Sequence, residues 1–247
     1  MTGSRMSEWS GSSPIWIFQD KTTDSTNELR RPLVGGVCVR KEKDKMPVLY
    51  ILLGYLSGSV LYARIAAKVF HKPQLLQCSP DQNPGAANAF QYGGFWCGVF
   101  TLSGDLLKGF LPVFLYYRAV PEGGNALLEA LALAAPVLGH TFPVFFRFRG
   151  GKGIAVSFGC LLGLFPYWQA AGLLAALFLF FSVVLVISPH FYRTAATYLT
   201  AAVTMEFLVK PLPVRLGFWL MTAVVLLRLH MSVEEREKPE VALLWTR

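Results

Sequence analysis

Charge is scarce in this sequence. Only 15% of its 247 residues are Asp, Glu, Lys or Arg while 53% are hydrophobic, a balance that excludes an ordinary soluble domain. Cysteine is scarce as well. Cys38, Cys78, Cys97 and Cys160 are scattered with no C-x-x-C pair, which argues against a zinc framework or a disulfide scaffold and leaves free thiols or core packing. There is no H-E-x-x-H helix for a zinc hydrolase and no G-x-x-x-x-G-K-[ST] phosphate loop after a strand. The net charge of +8 raises the question of nucleic acid. The basic residues form no soluble basic domain, however, and no zinc-finger, RNP or basic-zipper pattern is present.

What remains is a polytopic membrane chain. The first 45 residues, rich in Ser, Thr, Lys, Arg and Asp, hold no apolar run long enough to span and read as a disordered polar extension without a signal peptide. A start at Met46, which opens directly into an apolar run, is the alternative. A bilayer crossing needs about 20 apolar residues. Seven runs qualify as candidates: 47–70, 94–117, 125–146, 153–166, 168–187, 192–209 and 213–230, the fourth being short. The expected fold is therefore all-α, a membrane domain over 46–235 followed by a cytoplasmic tail at 236–247. Placing the N-terminus outside puts eleven loop cations inside against three outside, as the distribution of Lys and Arg requires. The eight cations before Met46 run against that rule, which favours the later start.

Polar residues then gather at the inner end of the expected bundle. Gly54 and Gly58 form a G-x-x-x-G face for close helix approach. Ser59 follows, with its hydroxyl either bonded back to its own helix or turned to a ligand. In the next loop Asn83-Pro84-Gly85 signals a turn, and Asn88 precedes an apolar stretch. Asp105 and Lys108, three apart, share a helix face inside a span, where charges are usually paired and functional. They fit either a structural ion pair or a phosphate donor. Between Arg147 and Gly153 stand three cations and three glycines: Arg147, Arg149 and Lys152 supply charge, while Gly150, Gly151 and Gly153 permit close backbone approach. A helix beginning near Gly153 adds N-terminal amides that favour an anion. The four histidines, at 71, 140, 190 and 230, all fall near the inner boundary, as do Arg193 and Arg228.

The ordered strings "GS", "NPGAAN", "DLLKG" and "GHTFPVFFRFRGGKGIA" resemble the bacterial glycerol-3-phosphate acyltransferase family that uses acyl phosphate. The resemblance covers roughly 46 to 235 and implies a seven-helix enzyme of the cell membrane with its active site on the cytoplasmic side. It implies transfer of a fatty acyl group from acyl phosphate to the 1-hydroxyl of sn-glycerol 3-phosphate, giving lysophosphatidic acid and phosphate, with no metal or nucleotide cofactor. On that resemblance Lys108, Lys152 and the amides of Gly150, Gly151 and Gly153 face phosphate. Ser59, Asn83, Gly85, Asn88, Asp105, Ser157 and Arg193 orient substrates, and His140 and His230 shape the polar network. Both substrates carry phosphate, so a small cationic hollow is what the chemistry needs. The chain departs from the family's usual first loop, D-x-R-x-x-G-S-G-N-P-G-A-T-N: Leu75, Gln77, Asp81 and Ala87 replace its acid, arginine, serine and threonine. Val156 and Val233 stand where threonine and asparagine are usual. Other readings are a transporter or binding protein for a phosphorylated metabolite, though no internal repeat is found, and a catalytically silent relative. The absence of H-x-x-x-x-D separates the chain from the soluble-headed acyltransferases.

Overall fold

The computed structural model describes residues 45–77, 84–120, 124–232 and 239–243. The extension expected over 1–45 lies outside the described residues except for Lys45, as does the tail expected over 236–247 except for 239–243. Helices dominate. The first expected span becomes α1 (Lys45–Gly58) and α2 (Tyr62–Val69), interrupted at 59–61. A single turn, α3 (Gln74–Gln77), and α4 (Ala86–Gly93) precede the long α5 (Phe95–Ala119). After α6 (Ala126–Thr141) a short 3-10 turn, Val144–Phe146, leads into the basic segment. Then come α7 (Ile154–Leu162), α8 (Gln169–Leu179), α9 (His190–Leu208) and α10 (Leu212–Met231).

Among the described residues, four segments are long and apolar enough to cross a membrane: Met46–Val69, Phe95–Ala119, Ala126–Phe146 and Leu212–Met231. The other three expected spans are helical but differ in kind. α7 has nine residues, roughly 14 Å of helix against a hydrocarbon core of about 30 Å. α8 gives way to a π-helical stretch at Phe180–Val184 and then to strand β1, Leu185–Ser188. α9 has the length but carries Thr194, Thr197, Thr200, Thr204 and Glu206, which lower its mean hydropathy.

The surface is that of a protein solvated by lipid. Leu49, Leu52, Leu53 and Leu56 of α1 are 44% to 54% exposed, a pattern water would penalise and hydrocarbon does not. α6 is the central helix: 61% of its apolar window is buried, against 33% to 39% in the other three long segments. Its Leu133 and Val137 join Val156, Leu161, Tyr198, Phe218 and Val225 in one core. The expected G-x-x-x-G face is used against this helix. A Cβ on Gly58 would strike the Pro136 carbonyl, and one on Gly139 would strike that of Tyr55. Backbone therefore meets backbone where α1 crosses α6.

Among the described residues, a pair of short strands departs from the all-α expectation. β1 pairs antiparallel with β2 (Glu240–Leu243), in the register Leu185 to Leu243 and Ser188 to Glu240. The β-branched run Val183, Val184, Val186 and Ile187 prefers extended backbone, and β2 supplies the partner that an isolated strand lacks.

Candidate functional site

The break between α1 and α2 sets the site. In a continuous helix the Val60 carbonyl would accept from the amide of Arg64, but that amide donates to Leu61 instead, at 3.1 Å. The freed Val60 oxygen accepts from Lys108 Nζ at 2.6 Å. Lys108, from the middle of α5, also lies 2.8 Å from Asp105 Oδ1 and 2.7 Å from His140 Nδ1. Three neighbours thus surround an ammonium with three N–H groups. The Asp105 contact is ionic rather than directional, since Oδ1 receives no aligned hydrogen bond. Asp105, Lys108 and His140 are all buried, each less than 5% exposed. Ser57 Oγ completes the junction by donating to the Lys108 carbonyl at 3.1 Å.

His140 connects this ion pair to the basic turn. An ammonium donating to Nδ1 assigns the ring proton to Nε2, and a Cβ on Gly151 would collide with that nitrogen. No side chain other than glycine's fits there without displacing the ring. The Gly151 amide donates to the His140 carbonyl at 3.1 Å and the Gly150 amide to that of Thr141 at 3.2 Å. Arg228 of α10 donates to the Gly150 carbonyl at 2.6 Å. Gly153 then turns the chain at φ +86 and begins α7 with no side-chain cap. The first amides of that helix lie where an anion gains most from the helix dipole. Lys152 stands half-buried between these two fixed glycines.

The structure therefore brings together Lys108, Asp105, His140, Gly150, Gly151, Lys152 and Gly153, drawn from α5, α6 and the turn before α7. Several expectations change in detail. Gly150 and Gly151 commit their amides to α6 carbonyls and so anchor the turn, rather than offering those N–H groups to an anion. Lys108 is enclosed by its partners rather than presented to a hollow. Ser59 is fully buried; its hydroxyl donates back to Tyr55 at 2.9 Å, and the Val144 amide lies 3.4 Å from its oxygen. Ser157 likewise donates to Gly153 within its own helix, at 3.0 Å. Asn88 and Gly85 are half-buried at the start of α4, Arg193 is half-buried in the first turn of α9, and His230 is exposed in the last turn of α10. Asn83, Asp81 and Val233 lie outside the described residues, as does the side chain of Gln77.

Two cations to which sequence reasoning assigned no site role, Arg228 at the inner boundary and Arg64 among the loop cations, prove to be structural parts of this end of the bundle. Arg228 fastens the turn, and its place two residues before His230 on one helix end was the available signal. Arg64 stacks over the Phe146 ring at 5.0 Å, bridging α2 to the segment that follows α6. That contact links residues far apart in sequence, and nothing in the local pattern announces it.

Comparison with known proteins identifies the family. Residues 48–237 match the profile of the glycerol-3-phosphate acyltransferase family. A glycerol-3-phosphate acyltransferase of Actinobacillus pleuropneumoniae is 42% identical over 132 residues, which are 53% of this chain and 65% of the relative. One from Pasteurella multocida is 40% identical over 126 residues, 51% of this chain and 59% of the relative. The aligned region thus spans less than two thirds of the length of these curated relatives. Among solved structures, the glycerol 3-phosphate form of PlsY, an integral membrane glycerol 3-phosphate acyltransferase, is similar at a TM-score of 0.62 and 26% identity, covering 74% of this chain and 87% of that one. Its lysophosphatidic acid form is similar at a TM-score of 0.59 and 25% identity. With a family profile matched across most of its length, this chain belongs to the glycerol-3-phosphate acyltransferase family.

Proposed function

We propose that this chain is a membrane glycerol-3-phosphate acyltransferase that takes its acyl group from acyl phosphate. The 1-hydroxyl of sn-glycerol 3-phosphate attacks the acyl carbonyl, the C–O bond to phosphate breaks, and the hydroxyl proton leaves with the phosphate. The products are lysophosphatidic acid and inorganic phosphate. Lys152 and the uncapped amides opening α7 receive phosphoryl oxygens, where a cation and a helix dipole act together. Asp105, Lys108 and His140 work one layer below: they hold the Gly150–Gly151 turn and so fix the position of Lys152. Ser59 ties the α1–α2 break to the segment after α6, and Arg193, Asn88 and His230 border the substrate space. The Lys and Arg of the loops at this end support a reaction on the cytoplasmic side of the cell membrane.

The observation that carries this reading is the link through His140, which joins a buried ion pair to a basic glycine turn. Catalysis on this account is largely positioning of two phosphorylated substrates in register. The test is to supply the purified chain in detergent with palmitoyl phosphate and glycerol 3-phosphate, and to measure phosphate and lysophosphatidic acid together. Equal release of the two products is expected. Transport of glycerol 3-phosphate into liposomes without acylation would overturn the reading in favour of a carrier.

A further inference from the structure

Beside the turn lies a hollow that the acyl-transfer proposal does not use. It has a volume of about 480 Å³ and is lined by Arg64, Phe145, Phe146, Arg147 and Arg149. A second hollow shares Arg64 and Phe146 and extends past Lys68 and His71. We propose that the Arg64–Arg147–Arg149 hollow binds the phosphate headgroup of an anionic membrane phospholipid, at a place separate from the acyl-transfer turn.

Three observations converge on that ligand. First, among the described residues no carboxylate pairs with Arg64, Arg147 or Arg149. The Nε of Arg64 is buried without a hydrogen-bond partner although its guanidinium rests on the Phe146 ring. A buried donor of this kind calls for an acceptor. Second, the depth suits a lipid headgroup. The segment Ala126–Phe146 ends at the hollow, and Arg64 lies in the last two turns of Met46–Val69, whose Lys68 lines the adjoining hollow, so the cations sit near the ends of two membrane crossings, close to the level of lipid phosphates. Third, exposed aromatic rings accompany the cations. Phe145 and Phe148 are 60% and 57% exposed and alternate with the arginines in the sequence FFRFR. Arg147 and Phe148 both adopt left-handed backbone, at φ +52 and +59, a conformation that non-glycine residues hold only where the surroundings impose it. Rings that enter the acyl layer and guanidinium groups that remain among headgroups match an anionic phospholipid better than a free phosphate.

The experiment is native mass spectrometry of the full chain released from detergent micelles containing equal amounts of dioleoylphosphatidylglycerol and dioleoylphosphatidylcholine. Retention of the anionic lipid about 30-fold or more over the zwitterionic one is expected, the order that two juxtamembrane cations provide. The Arg147→Gln/Arg149→Gln variant, altered only at exposed loop positions, is expected to lose that preference, and Arg147→Lys/Arg149→Lys to keep part of it. Equal retention of both lipids by the unaltered chain overturns the proposal, and so does an undiminished preference in the Gln variant. A millimolar addition of inorganic phosphate or glycerol 3-phosphate that displaces the bound lipid would reassign the hollow to free phosphate. The lipid-retention measurement reads binding and requires no acyl transfer, so its outcome stands apart from that of the product assay.

Discussion

An ammonium buried within a membrane bundle needs its lost water replaced group by group, and Lys108 has the Val60 carbonyl, Asp105 and His140 for that purpose. Removing one partner of such a set leaves the other charge stranded. Lys108→Met is expected to destabilise the chain by about 3–5 kcal/mol, the loss typical of a broken buried pair. The double variant Lys108→Met/Asp105→Leu is expected to recover part of that, with the unsatisfied Val60 carbonyl keeping it short of full recovery. Thermal unfolding in detergent checks both, and a double variant less stable than the single one would contradict the ion-pair account. The pairing of Asp105 with Lys108 was legible, because a spacing of three puts both on one helix face. Their third partner was not, since His140 belongs to another helix. The orphaned Val60 carbonyl was hidden too, because the break at 59–61 carries no proline to mark it.

Between helices, the tightest crossings rest on missing side chains. Gly58 faces the Pro136 carbonyl with no room for a methyl group, whereas a Cβ at Gly54 would sit 3.4 Å from the Pro136 ring, an ordinary contact. Gly58→Ala is therefore expected to destabilise the α1–α6 crossing by about 1–3 kcal/mol, and Gly54→Ala to be close to neutral. Unfolding midpoints of the two variants, one turn apart on the same helix, make the comparison internal. Gly151→Ala belongs to the same scale. Its methyl would meet His140 Nε2, and the displaced turn is expected to lower kcat/KM on the order of 100-fold, as small misplacements near reacting groups do. Steady-state acyl transfer measures this, and an unchanged kcat/KM would remove His140 as the support of the turn. The G-x-x-x-G signal predicted close approach but not which helix approaches. The β1–β2 pair was not legible either, because each strand is short and gains its structure only from the other.

For the molecule as a whole, the basic segment 147–152 and Lys210 are placed at opposite ends of the bundle by the orientation read from loop charge. In a background with the native cysteines replaced, Lys210→Cys is expected to react with an impermeant maleimide in intact cells, and Arg149→Cys only after permeabilisation. The opposite pattern would invert the topology. The sequence made the membrane class and the order of helical segments plain, since long apolar runs have few other uses. It was less informative about length: α7 and α8 lie within apolar runs yet are shorter than a crossing, and packing against α5, α6 and α9 helps to decide where such helices stop.

The central claim is that Lys152, held by the His140-anchored turn, grips substrate phosphate. Comparison of Lys152→Ala with the unaltered chain in acyl transfer from palmitoyl phosphate to glycerol 3-phosphate tests it most directly. A loss in kcat/KM of about 100-fold to 1,000-fold, the scale of one lost charge-stabilising donor, is predicted, with the unfolding midpoint unchanged because the side chain is half-exposed. Activity within about twofold of the unaltered chain, from a protein equally well folded, would contradict the account.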